Sequence, residues 1–196
     1  KHKVIRMPET FRLSASQRKS MWVPLLAGIL FFLGDTCIES LCGIRVPEDV
    51  EQTFIELCHS PLGFLSVCFI GPLIEELLMR EGVMGSMLRR GVSPWTAIIL
   101  SSVLFGAMHF NLSQFIFATI GGIALGILYY KSGNIILPLI VHALNNTFSS
   151  ILTLTVEAED LTELLGGQTI VYILLALFWT ISAFLFVRFW KSDMTD

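Results

Sequence analysis

The chain of 196 residues is 54% hydrophobic and only 15% charged, with a net charge of −3 and a mean hydropathy of +0.71. Soluble domains run at about 45–50% apolar and about 25% charged. This composition excludes an ordinary soluble globule, gives no reason to expect a nucleic-acid partner, and leaves an integral membrane protein whose main partner is the lipid bilayer.

The first twenty residues carry Lys1, Lys3, Arg6, Arg12, Arg18 and Lys19 against Glu9. They read as a basic cytoplasmic segment, because Lys and Arg are retained on the cytoplasmic side. Opening on Lys1 rather than Met fits a piece of a longer chain with earlier spans removed. About six stretches are long and apolar enough to span, at 21–42, 62–80, 94–110, 113–130, 135–154 and 169–189. The expectation is an all-α, polytopic transmembrane helical bundle, built as a single domain over 21–190 with a cytoplasmic tail at 191–196.

Loop charges set the orientation. The first connection carries Arg45 against Glu48, Asp49, Glu51 and Glu56, and the second carries Arg80, Arg89 and Arg90 against Glu81. Lys131 follows in the fourth, then the acids Glu157, Glu159, Asp160 and Glu163 in the fifth, and Arg188 with Lys191 at the end. These signs alternate as six spans require and place both termini in the cytoplasm. Cys42 and Cys58 fall together on the outer side, where a disulfide is one reading and buried apolar cysteines the other.

Polar residues within the spans point to function, because a charge at hydrocarbon depth is costly unless it is paired or lines a wet cavity. In the first span Asp35 and Glu39 form an acidic pair at i and i+4, with Asp35 the deeper. In the second, Glu75 and Glu76 are adjacent. Helical spacing sets Glu76 against Arg80 in the favourable order and leaves Glu75 with no basic residue on its own helix. A carboxylate left unpaired in such a place suits a general base. The bland alternative is a cluster that merely pins helices together.

The third span ends in Phe105-Gly106-Ala107-Met108-His109, which puts the Phe105 ring one turn below the His109 imidazole. A hairpin closed at 90–94 brings His109 level with Glu75, and a break at Gly82 and Gly85 would bring His142 to that level too. In the fourth span Ala118, Gly122 and Gly126 form a ladder of small residues suited to close helix packing. In the fifth, His142 and Asn146 share a face that Ser149 and Thr153 continue, and this face cannot point at lipid.

Glu75-Glu76-x-x-x-Arg80, Phe105-x-x-x-His109 and His142-x-x-x-Asn146, in this order on three spans, resemble the CPBP family: the type II CAAX prenyl endopeptidases and the bacterial bacteriocin-processing or abortive-infection proteins. The resemblance covers roughly residues 60–155. It implies an intramembrane endopeptidase of a bacterial inner membrane, opening to the cytoplasm, which cuts a membrane-associated or C-terminal peptide. Glu75 would be the general base, with His109 holding the water or developing charge. His142 and Asn146 would stabilise the oxyanion, and Glu76 with Arg80 would fix the helix. No cofactor is favoured. Zn²⁺ is the alternative, with Glu75, His109 and His142 as its ligands, but His-Glu-x-x-His is missing and Asn is a poor zinc ligand. The rival functions are a non-proteolytic immunity or scaffold protein that binds a peptide in the same cavity, and a transporter that relays protons through Glu75.

Overall fold

The computed structural model describes residues 21–155 and 161–191, so the basic segment 1–20, the acids Glu157, Glu159 and Asp160, and the tail 192–196 lie outside the described residues. The described residues form helices and no strands. They are α1 (Trp22–Cys42), α2 (Glu48–His59), α3 (Pro61–Arg89), α4 (Pro94–Ala107), α5 (Leu112–Ser132), α6 (Ile136–Thr155), α7 (Leu161–Leu164) and α8 (Gln168–Lys191). By length and composition α1, α3, α5, α6 and α8 can cross a membrane. The chain is therefore a polytopic helical membrane bundle.

The helix ends follow local chemistry. Ser60 caps α3 by accepting from the Gly63 N–H at 2.9 Å, with Pro61 at the first helical position. Ser93 caps α4 in the same way ahead of Pro94, and Asn111 caps α5 by accepting from the Gln114 N–H. Gly43 and Gly133 close α1 and α5 at φ of 65° and 62°, a left-handed turn that a side chain would strain.

Small residues let the site-bearing helices approach. A Cβ on Gly106 of α4 would lie 2.5 Å from the Phe115 carbonyl oxygen of α5. Gly122 and Gly126 of α5 meet Ser102 and Ile98 of α4, which is where two rungs of the small-residue ladder are used. On the other side α1 packs along α8, with Phe31 stacked on Trp179 and the Ser182 hydroxyl donating to the Ala27 carbonyl at 2.8 Å. Val23, Ala27, Leu125, Leu128, Val141, Leu185 and Phe189 form the core that joins α1, α5, α6 and α8.

Three expectations need correction, and the state of the cysteines is decided. The helix begun at Pro61 does not stop at 80 or break at Gly82 and Gly85; it runs to Arg89 through two π-helical stretches, Ser66–Ile70 and Leu77–Met84. Arg80 and Glu81 are accordingly buried helix residues and not loop charges, since Glu81 accepts from Arg89 at 2.9 Å and from the Tyr129 hydroxyl at 2.6 Å. The third stretch is the 14-residue α4, shorter than the 94–110 span expected. Cys42 is exposed and Cys58 buried, and both are free thiols, as are Cys37 and Cys68.

Helix α2 lies in what hydropathy reads as a connection. Its first turn carries Glu48, Asp49 and Glu51 and its last carries His59, the arrangement that complements a helix dipole. It ends against the bundle, where the thiols of Cys58 and Cys68 both donate to the Ser150 hydroxyl, at 3.6 and 3.5 Å.

Because a Cβ on Gly106 would crowd the Thr119 hydroxyl and also the Phe115 carbonyl, main chain that cannot swing aside, Gly106→Ala is expected to destabilise by about 1–3 kcal/mol. Gly82→Ala, whose Cβ would find its nearest neighbour at 3.5 Å, is expected to have little effect. Thermal unfolding in detergent compares the two directly.

Candidate active site

Helices α3, α4 and α6 bring the motif residues together. Glu76 is fully buried and stands 3.0 Å from Arg80 Nε, with Arg80 buried as completely. This is an ion pair without an aligned hydrogen bond, since neither the Arg80 guanidinium nitrogens nor Glu76 Oε2 meet hydrogen-bond geometry with any described residue. The guanidinium instead lies over the Phe105 ring, 5.5 Å from its centre. The i, i+4 spacing thus delivers the contact expected of it.

The other oxygen of Glu76 faces α6. His142 Nδ1 lies 3.0 Å from Glu76 Oε1, and Nε2 of the same ring lies 3.5 Å from Glu75 Oε2. Adjacent carboxylates on α3 therefore take opposite edges of one imidazole. Glu75 has no basic partner on its own helix, as expected, but it does have one on α6, and its side chain is 31% exposed where that of Glu76 is sealed. Beside Arg80 the Glu76 carboxylate is an acceptor, so Nδ1 carries the proton and Nε2 is turned to Glu75.

Phe105 is the hub of the aromatic packing. Its ring meets His109 edge-on at 5.2 Å and His142 edge-on at 5.6 Å. His109 Nδ1 is 3.0 Å from the Phe105 carbonyl oxygen, which can only accept. The proton therefore sits on Nδ1 and the Nε2 lone pair is left for another donor. Past His109 the chain turns through Phe110 at φ 56°, and the Asn111 amide donates to the His109 carbonyl at 3.0 Å.

Asn146, not its neighbour Asn145, reaches α3. Its Nδ2 donates to the Val67 carbonyl oxygen at 3.1 Å. The polar stripe on α6 continues through Ser150, which is buried against Cys58 and Cys68, rather than through Ser149 and Thr153. Asp35 and Glu39 belong to α1, where Asp35 is buried and Glu39 half-buried.

Among the described residues no group of three His, Cys, Asp or Glu side chains is placed to hold a metal ion. What the arrangement offers is a carboxylate, a proton-carrying imidazole edge and an imidazole lone pair gathered around one phenyl ring.

Residues 58–148 match the Rce1-like family of type II CAAX prenyl endopeptidases. That segment contains all three motifs, and the resemblance read from them holds there. Two curated bacterial relatives are similar over a comparable stretch. YdiL of Bacillus subtilis (strain 168), whose name provisionally makes it a membrane peptidase, is 30% identical over 57% of this chain and 46% of its own length. The membrane-embedded CAAX protease MroQ of Staphylococcus aureus (strain USA300) is 30% identical over 54% of this chain and 45% of its own. The chain thus spans about half the length of the curated relatives it matches. No solved structure matches it.

Removing the charge of Glu76 leaves Arg80 buried and unpaired, so Glu76→Gln is expected to destabilise by about 3–5 kcal/mol. Glu75→Gln should leave the fold intact, because that side chain is partly exposed and is not the partner of Arg80. Thermal unfolding of the two variants in detergent separates them.

Proposed function

We propose that this chain is the catalytic part of an intramembrane endopeptidase that hydrolyses a peptide bond in a membrane-associated or C-terminal peptide substrate through a water activated by Glu75. The observation that carries this reading is the pair formed by Glu75 and His142 Nε2 at 3.5 Å, with His142 Nδ1 already committed to Glu76. The match to the type II CAAX prenyl endopeptidases and the naming of both relatives as membrane peptidases support it.

In this mechanism Glu75 takes a proton from water as the water oxygen attacks the scissile carbonyl carbon. The Nε2 lone pair of His109 accepts a hydrogen bond from the same water and orients it. His142, held through Nδ1 by Glu76, donates from Nε2 to the developing oxyanion. Asn146 has a second amide N–H beyond the one given to Val67 and adds it to the same oxygen. When the intermediate collapses the C–N bond breaks and the proton on Glu75 passes to the leaving amine. Glu76 and Arg80 do not touch substrate; they hold the His142 ring in the orientation the step needs.

We further propose that the bundle end carrying Arg89, Arg90, Lys131, Arg188 and Lys191 faces the cytoplasm. Trp190 of α8 stacks on Trp95 of α4, tilts against Tyr130 of α5 and receives the Lys131 ammonium over its ring, so the basic ends of these helices share one face.

The test is cleavage of a fluorogenic peptide library by detergent-purified protein. Glu75→Gln is expected to lower kcat/KM by about 10²–10⁴-fold while thermal unfolding is unchanged. Dialysis against a zinc chelator is expected to leave the rate intact. Activity that survives Glu75→Gln would remove Glu75 as the base. A folded protein that cuts no peptide would favour a peptide-binding role for the same cavity.

A further inference from the structure

The sequence around Pro72 creates a main-chain defect that a side chain on another helix repairs. In the first π-helical stretch of α3 the Gly71 N–H donates five residues back, to the Ser66 carbonyl. In an α-helix that N–H would have gone to the Val67 carbonyl, four residues back. The next N–H, which a continued π pattern would aim at Val67, belongs to position 72, and Pro72 has none. Val67 O is thereby stripped of both its α and its π donor. It lies within an apolar helix, where replacement donors are scarce. Asn146 Nδ2 of α6, at 3.1 Å, supplies the missing hydrogen bond.

We infer that Asn146 is a positioning residue: it caps the carbonyl that Pro72 orphans, and so sets the face that α3 turns towards His142. The consequence is geometric. A π turn inserts one extra residue, which advances every later side chain by about 100° around the helix. Glu75 and Glu76 follow Pro72 by three and four residues, so their direction depends on that turn being kept. Asn146 and His142 lie one turn apart on α6, so α6 grips α3 at the Val67 carbonyl and again at Glu76. Pro72 is what makes the clamp necessary, since it withholds the N–H that a continued π turn would give to Val67 O.

This deepens the peptidase reading and rests on it only where activity is measured. The experiment is a double-variant cycle of wild type, Asn146→Ala, Pro72→Ala and the combined variant, followed by thermal unfolding in detergent and by kcat and KM on the fluorogenic peptide library. An N–H restored at position 72 gives Val67 O a main-chain donor, so the Tm lost on Asn146→Ala should shrink by at least half in the Pro72→Ala background. Equal Tm losses in both backgrounds overturn the inference, whether or not any variant cleaves peptide. If Asn146→Ala does not fold, recovery of folded protein in the combined variant is the expected result, and failure of both overturns it. For activity, Asn146→Ala should lower kcat by about 10²-fold with KM nearly unchanged, as for a displaced catalytic group. Pro72→Ala should then return about tenfold of that loss. An undiminished kcat loss in the Pro72→Ala background would make Asn146 an oxyanion donor alone and reject the positioning role. If nothing is cleaved, the peptidase reading fails by itself and the unfolding cycle still decides the clamp.

Discussion

A fully buried carboxylate in an apolar bundle is tolerable only while its charge is answered, and Glu76 is answered from two sides. Arg80 stands 3.0 Å from one oxygen and His142 Nδ1 stands 3.0 Å from the other. Much else is fixed by that arrangement. It ties α3 to α6, assigns the proton on His142, turns Nε2 towards Glu75 and leaves the Arg80 guanidinium over the Phe105 ring, which in turn meets both histidines. Loss of one partner exposes the rest to an uncompensated charge in a medium that cannot solvate it. The two neighbouring glutamates are chemically alike but differently placed. One is sealed in and holds the frame, while the other keeps partial exposure and the freedom to exchange a proton.

Much of this is legible in the sequence because it obeys the α-helical period. The Glu76–Arg80 pair, the edge-on contact of Phe105 with His109 and the close contacts at Gly122 and Gly126 all follow from i, i+4 spacing within one helix or from small side chains on its surface. What periodicity cannot give is the partner across a helix interface. Glu75 reads as unpaired because its neighbour is His142, 67 positions later in the chain. The π-helical turns are also invisible, since each shifts the register by a residue and nothing in hydropathy marks the shift. The stripe on α6 reads on to Ser149 where the structure uses Ser150, because a spacing of 3.6 allows either branch.

The charges of α3 show a different limit. Arg80 and Glu81 read as part of a connection because hydropathy falls there, yet both are buried, Arg80 against Glu76 and the Phe105 ring and Glu81 against Tyr129, partners that composition cannot reveal. Glu81 joins Arg89 to Tyr129 and so fastens the end of α3 to α5. Helix α2 escapes for the opposite reason. It has too little apolar surface to register as a span, but its end-charges suit its dipole and Cys58 docks it on Ser150.

The unequal lengths of α3 and α4 carry a consequence for the surrounding lipid. Packed side by side, the first has 29 residues and the second 14. These correspond to roughly 43 and 21 Å of helix, against a hydrocarbon thickness of about 30 Å. No single flat bilayer suits both. The longer helix has to tilt or carry its Arg89 end beyond the hydrocarbon, and acyl chains beside the shorter one have to bend around the turn at His109. A bilayer of that thickness would have to thin beside α4, near His109 just past the end of that helix.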